Sequence, residues 1–105
     1  MGLQWDSQMI EIVFSELKKT GVVQSSAEFS RDFLGMEESY LRGIRSRNRI
    51  PSAKALAACA VRLKTVGKSF SESQMPIVAE RGVLMSQLGD ACINEILSQA
   101  MEAQG

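Results

Sequence analysis

Four arginines lie within eight residues of this chain of 105 residues, at Arg42, Arg45, Arg47 and Arg49. Guanidinium groups stay charged and donate paired hydrogen bonds to phosphate and to guanine, so such a cluster is typical of an anion-binding surface. The net charge is zero, yet the segment Ser39–Ser71 contains eight basic residues and no aspartate or glutamate. This segregation favours a face that binds a polyanion. The alternative is a solvated basic surface without a partner.

The residue types needed for most catalytic and metal sites are missing from the sequence. The chain has no histidine, and its two cysteines, Cys59 and Cys92, fall in separate predicted helices. No glycine-rich phosphate loop and no evident carboxylate pair is present. We therefore expect no enzyme activity, no metal and no cofactor, with both cysteines reduced in the core of a cytoplasmic protein.

Composition indicates one small folded domain. The hydrophobic fraction is 45% and the charged fraction 23%, which is ordinary for a soluble globular protein. No apolar run approaches the ~20 residues of a membrane span. The N-terminus lacks a basic stretch ahead of an apolar block, so neither a secretory signal nor a membrane anchor is expected.

Apolar residues recur at the spacing of a buried helical face through most of the chain. Ser25 and Glu28 form the S-x-x-E pattern that begins a helix, and Gly35 is expected to end it. A short helix, a glycine turn and a second short helix indicate a helix-turn-helix. The other predicted helices run from Asp6 or Ser7 to Thr20, from Glu37 to Arg45 and from Ala53 to about Val66.

The remainder of the chain is predicted as a polar turn over 67–73 and a long helical segment from Pro76 to Met101. Gly82 and Gly89 interrupt the segment, so one bent helix and two consecutive helices are both compatible with it. Its apolar surface exceeds what the preceding helices need, and either packs on them or mediates a homodimer. The predicted fold is an all-α, compact helix-turn-helix bundle of four to five helices. Residues 1–68 form its DNA-binding part and residues 69–105 a C-terminal extension within the same domain.

The segment Leu34–Ser52 resembles the helix-turn-helix of the Cro and phage-repressor-like (XRE) transcriptional regulators. The resemblance covers about residues 22–64. It implies a compact all-α protein that binds double-stranded DNA as a homodimer on a two-fold site. The matching residues are Leu34-Gly35, Ser39, Leu41, Ile44, Arg49 and Pro51-Ser52.

The third predicted helix is then expected to enter the major groove of DNA. Arg42 is the best candidate for direct readout, because a guanidinium can donate two bonds to guanine. Glu38 and Ser39 could also contact base edges, while the arginines after Arg42 are expected to hold phosphates. The predicted DNA-binding residues are Glu38, Ser39, Tyr40, Arg42, Arg45, Arg47, Asn48, Arg49 and Lys54.

Two other functions are compatible with parts of the sequence. A helix-turn-helix domain that lost DNA binding could act as an adaptor or anti-activator through its C-terminal segment, although it would not need the acid-free arginine cluster. Binding of nucleic acid without sequence preference is disfavoured, because four of the six aromatic residues are phenylalanines at mostly core-like positions. Sequence-specific DNA binding is the interpretation that uses both the motif and the charge pattern.

Overall fold

The computed structural model describes the backbone of residues 5–104 and the side chains of residues 9–102. It confirms the predicted all-α fold with a long C-terminal helix. Among the described residues, no helix combines the length and the apolar character needed to cross a membrane. The helices are α1 Trp5–Lys19, α2 Ser26–Asp32, α3 Tyr40–Arg47, α4 Ala53–Ser71 and α5 Pro76–Gln104.

The first helix buries the face that its periodicity predicts. Ile10, Val13, Phe14 and Leu17 are all buried in the core. Gly21, with φ +83°, turns the chain away after α1, because glycine adopts this conformation without a steric penalty. The helix begins at Trp5, so Asp6 and Ser7 lie within α1 rather than before it.

The capping pattern before α2 forms as predicted, with one difference. The Ser25 hydroxyl accepts a hydrogen bond from the backbone N–H of Glu28 at 3.1 Å. The Glu28 carboxylate accepts from the backbone N–H of Gln24 at 2.6 Å, rather than from that of Ser25. Two N–H groups at the start of the helix are thereby satisfied. The helix ends at Asp32, and Gly35 lies in the following turn with φ +63°.

The third helix runs from Tyr40 to Arg47, so the predicted bounds of Glu37 to Arg45 were wrong at both ends. At its start, residues 37–39 form a turn that leads into the helix. At its end, Asn48 adopts the left-handed conformation with φ 51°, and its backbone N–H donates to the Ile44 carbonyl. Asparagine adopts this conformation more readily than most residues, so Asn48 can end the helix. The end therefore falls after Arg47, two residues beyond the predicted Arg45.

The prediction of a turn over residues 67–73 was wrong, because α4 continues to Ser71. Gly67 is a helical residue that lies against α5, where an added Cβ would approach the Gly82 carbonyl oxygen and the Ser86 hydroxyl to 2.8 Å. The segment after Pro76 is one helix, and Gly82 and Gly89 lie within it at the contact with α4. These glycines therefore allow two helix backbones to approach closely and do not interrupt either helix.

One core contains side chains from each of the five helices. Met85 and Cys92 from α5 lie in the same buried cluster as Phe29 from α2 and the leucines of α3 and α4. The predicted boundary between residues 68 and 69 falls within α4. The region after the helix-turn-helix is therefore part of the same packed domain, and α5 contacts both α4 and α1.

Candidate nucleic-acid interface

An open groove of about 1010 Å³ lies between α3 and the start of α4. Arg42, Arg47 and Arg49 line the groove, and Lys54 is exposed in the first turn of α4. Within the described part of the chain, neither Arg42 nor Arg47 takes part in an ion pair. Exposed cations beside an open groove are suited to a ligand that carries regularly spaced negative charge.

Arg45 is engaged in a tertiary contact, in contrast to its predicted role as a phosphate clamp. Its Nε and Nη2 atoms donate to the two carboxylate oxygens of Glu11 on α1 at 2.6 and 2.8 Å. The guanidinium also lies 5.4 Å from the centre of the Phe14 ring. The hydrogen bonds to Glu11 raise the pKa of Arg45 above its ordinary value. The geometry gives Arg45 the role of fixing α3 to α1.

Glu38 precedes α3 and is paired with a cation. Its carboxylate accepts a hydrogen bond from Arg31 Nη1 at 2.8 Å, and Arg31 Nε lies 2.9 Å from Asp32. The hydrogen bond with Asp32 and, to a smaller extent, the one with Glu38 raise the pKa of Arg31. The hydrogen bond from Arg31 lowers the pKa of Asp32. Ser39 is at the N-cap position but makes no side-chain capping bond, and its side chain lines the groove. Of these two predicted base contacts, Ser39 is the better placed.

Tyr40 connects the beginning of α3 to the beginning of α4. Its hydroxyl accepts a hydrogen bond from the backbone N–H of Ser52 at 3.0 Å. The Ser52 hydroxyl in turn accepts from the backbone N–H of Ala55 at 3.1 Å and so caps α4, as predicted. Tyr40 is half-buried in this arrangement. Tyr40 therefore holds the start of α3 next to the start of α4.

Asn48 shapes the loop that carries the arginines. Its left-handed conformation reverses the chain after Arg47, and the backbone N–H of Arg49 then donates to the Ile44 carbonyl at 3.0 Å. The side chains of Arg47, Asn48 and Arg49 are all exposed. Asn48 is among the predicted DNA-binding residues, but an asparagine at the end of a helix is also a signal for this left-handed backbone conformation.

Ser30 is fully buried and joins α2 to α3. Its hydroxyl donates to the Ser26 carbonyl at 2.8 Å and accepts from the backbone N–H of Leu41 at 3.1 Å. The Ser30 carbonyl also accepts from the Met36 N–H at 3.0 Å. Ser30 was not predicted as a site residue, although a serine in the middle of a short amphipathic helix is a signal that the sequence contains. Because its hydroxyl connects α2 to the backbone of α3, it fixes the position of the helix that carries Arg42.

Acidic residues from other helices reduce the positive charge along α4. Lys64 Nζ lies 2.7 Å from a carboxylate oxygen of Asp90 on α5. Arg62 lies over the Phe33 ring at 5.9 Å and close enough to Asp32 to lower its pKa further. The segment Ser39–Ser71 contains no acidic residue, but in the folded chain acidic residues from other helices lie close to two of its basic residues on α4. The exposed positive surface is concentrated on α3, the loop after it and the first turn of α4.

Gln99 of α5 also lines the groove, although no pattern in the sequence predicted it as a site residue. Its Nε2 atom is buried, and within the described residues it has no hydrogen-bond partner. The C-terminal half of α5 thus reaches the same groove as Arg47 and Arg49. The helix that packs on α4 along most of its length also forms one edge of the candidate interface.

Comparison with known proteins gives a family for the chain. A family model with the description "Family of unknown function (DUF6626)" matches residues 10–104, which include α2 to α5 and most of α1. No curated protein and no solved structure matches the chain. The match extends over nearly the whole sequence, so the chain belongs to this family of unknown function, DUF6626.

Proposed function

We propose that this protein is a sequence-specific regulator of transcription that binds double-stranded DNA, with α3 in the major groove. The observation that carries the proposal is the set of exposed cations on and next to one short helix, Arg42, Arg47, Arg49 and Lys54. The resemblance of Leu34–Ser52 to the Cro and phage-repressor-like regulators supports the same function.

The contacts that hold α3 support its use as a recognition helix. Leu41 and Ile44 are buried on its inner face. Ser30 fixes its beginning to α2, Tyr40 fixes it to the start of α4, and Arg45 fixes its last turn to α1. A helix held on several sides can present its outer face in one orientation, which is the requirement for reading base edges.

The proposed roles differ among the exposed residues. Arg42, on the outer face of α3, reads a guanine through two hydrogen bonds, and Ser39 lies at the start of the same face. Arg47, Arg49 and Lys54 contact phosphates and set the affinity. Arg45 positions α3, and Glu38 can contact a base only if Arg31 releases it. In this proposal the protein binds DNA in the cytoplasm and catalyses no reaction. It binds as a homodimer on a two-fold site.

A second function is favoured by a separate observation. Ile93, Leu97 and Met101 are exposed on α5, as expected for a protein that binds other proteins. An adaptor or anti-activator of this kind would bind its partner without DNA. The adaptor function does not explain the exposed arginines of α3, so DNA binding is the function that we propose first.

Selection of bound duplexes from a random pool tests the proposal directly. We expect a defined sequence to be enriched and its affinity to fall steeply with salt concentration, because bound phosphates release counterions. Arg42→Ala should lower affinity by about 1–3 kcal/mol and relax the preference at one base pair, whereas Arg47→Ala should weaken binding to all sequences equally.

Lys68→Ala is the matched control, because Lys68 is an exposed cation near the end of α4 and away from the groove. We expect this variant to bind the selected duplex nearly as well as the unchanged protein. Failure of the unchanged protein to retard any duplex at low salt would refute DNA binding and leave the adaptor function.

A further inference from the structure

Gln99 is the one residue of α5, among those described, that lines the groove beside α3. The antiparallel packing of α5 on α4 brings it there. An added Cβ at Gly89 would lie 3.0 Å from Lys64 Cγ and 3.3 Å from the Ala60 carbonyl oxygen. Because the two helices are antiparallel, Gln99 lies further along α5 and opposite residues 50–54, where the chain enters α4.

The carboxamide of Gln99 has an unused hydrogen-bond donor. Its Nε2 atom is buried, and among the described residues it has no hydrogen-bond partner. A buried amide nitrogen without an acceptor destabilises a folded protein, because the N–H has lost its hydrogen bonds to water. A ligand in the groove that supplies an acceptor would remove this cost, so the donor favours the bound state.

The surroundings of Gln99 are suited to a phosphate. Arg47 lines the same groove, whereas the acids one turn before and after Gln99 on α5, Glu95 and Glu102, do not. Among the lining residues the carboxylate is that of Glu37, which precedes α3. A neutral amide donor and a nearby guanidinium are groups that commonly contact phosphate oxygens in DNA complexes.

The size of the groove favours a duplex over a free anion. Its volume of about 1010 Å³ far exceeds that of one phosphate group. It is also lined by Arg42, on the outer face of α3, and by Arg47, at the end of that helix. A ligand that contacts these arginines and Gln99 together carries several negative charges in a row, as a DNA strand does.

We infer that Gln99 donates a hydrogen bond from Nε2 to a phosphate oxygen of the DNA backbone. This inference rests on the proposed function and extends it, because α5 then contributes a contact from outside the helix-turn-helix. Rotation of the carboxamide towards the groove breaks no hydrogen bond of Nε2, since this atom has none. The contact positions the duplex and carries no sequence information, because every base pair has the same phosphates.

Gln99→Met tests the inference, because methionine is close to glutamine in length and shape but has no N–H donor. In the free protein, removal of the buried donor should raise Tm by about 3 °C or more. Affinity for a duplex selected from the random pool, measured by fluorescence anisotropy, should fall about three- to ten-fold. A scrambled duplex of the same length should lose affinity by the same factor. A residue that only packs would not combine higher stability with weaker binding.

The salt dependence separates Gln99 from the arginines. A neutral donor releases no counterion, so Gln99→Met should leave the slope of log affinity against log salt concentration unchanged. Arg47→Ala should reduce the magnitude of that slope by about one. Gln87→Met is the matched control, because Gln87 is exposed on the same helix and does not line the groove. Its Tm and its duplex affinity should both stay close to those of the unchanged protein.

Three results would overturn the inference and leave DNA binding intact. The first is equal duplex affinity of Gln99→Met and the unchanged protein. The second is a lower Tm of Gln99→Met, which would show that Nε2 has a partner in the free protein. The third is a rise in Tm with inorganic phosphate at constant ionic strength that Gln99→Met abolishes, which would assign the donor to a free anion. Failure of the unchanged protein to bind any duplex would instead refute the proposed function and this inference together.

Discussion

Replacing Gly82 by alanine tests whether the close contact between α4 and α5 holds this fold together. A Cβ at Gly82 would lie 2.5 Å from the Gly67 carbonyl oxygen and 2.9 Å from the Phe70 carbonyl carbon, and it would also contact the backbone nitrogen of Ser71. All three atoms belong to the backbone of α4. Because a helix backbone cannot move locally as a side chain can, the two helices would have to separate.

The expected cost follows from two opposing effects. Overpacking of a close contact typically costs about 1–3 kcal/mol, and a clash with backbone belongs at or above the upper end of that range. Alanine gains about 1 kcal/mol over glycine in helix propensity. We therefore expect Gly82→Ala to lower the free energy of unfolding by about 2 kcal/mol or more, which corresponds to a fall in Tm of roughly 8–16 °C or more for a domain of this size.

Gly89→Ala is the matched control, since it is the same change in the same helix. Its Cβ would meet Lys64 Cγ and Cδ at 3.0 Å, and the Lys64 side chain can move aside at little cost. We expect the unfolding free energy to remain within about 1 kcal/mol of the unchanged protein. Urea denaturation followed by circular dichroism at one protein concentration measures both variants. Equal stability of Gly82→Ala and Gly89→Ala would refute the reasoning.

Three further predictions concern two hydrogen bonds that position α3 and the buried Cys59. Ser30→Ala should lower the unfolding free energy by about 1–3 kcal/mol in urea denaturation, because a buried backbone N–H of α3 loses its acceptor; no change would show that the bond is dispensable. Tyr40→Phe should cost about 0.5–1.5 kcal/mol in the same assay by removing the acceptor of the Ser52 N–H, and an equally stable variant would contradict this. The hydrogen bond with Cys92 and burial raise the pKa of Cys59. Cys59 should therefore react with an aromatic disulfide reagent only after unfolding, and rapid labelling of the native protein would exclude this environment.

The helices themselves were largely predictable from the sequence. The spacing of Ile10, Val13, Phe14 and Leu17 identified the buried face of α1, and Ser25 with Glu28 identified the start of α2. These signals are local, because a buried helical face repeats every three to four residues and a cap involves neighbours in the chain. The all-α fold with a long C-terminal helix followed from them.

Glycine gave an ambiguous signal that only packing resolved. Gly35 lies in a turn with positive φ, whereas Gly67 and Gly82 lie within helices. The same residue type serves a turn, where backbone freedom is needed, and a close helix contact, where the absence of a side chain is needed. The difference depends on what lies opposite in space, so the sequence around Gly67 predicted a turn that does not form.

The sequence by itself determined the helical class, the helix-turn-helix order of elements and the arginine cluster that prompts the DNA-binding proposal. Only the tertiary structure decided which basic residues are paired with acids from other helices. Arg45 meets Glu11, 34 residues away, and Lys64 meets Asp90, 26 residues away. Because Coulomb interactions depend on distance in space, a segment without acids in the sequence can still be paired by acids from other helices. The candidate interface is therefore narrower than the basic segment, and it centres on Arg42, Arg47, Arg49 and Lys54.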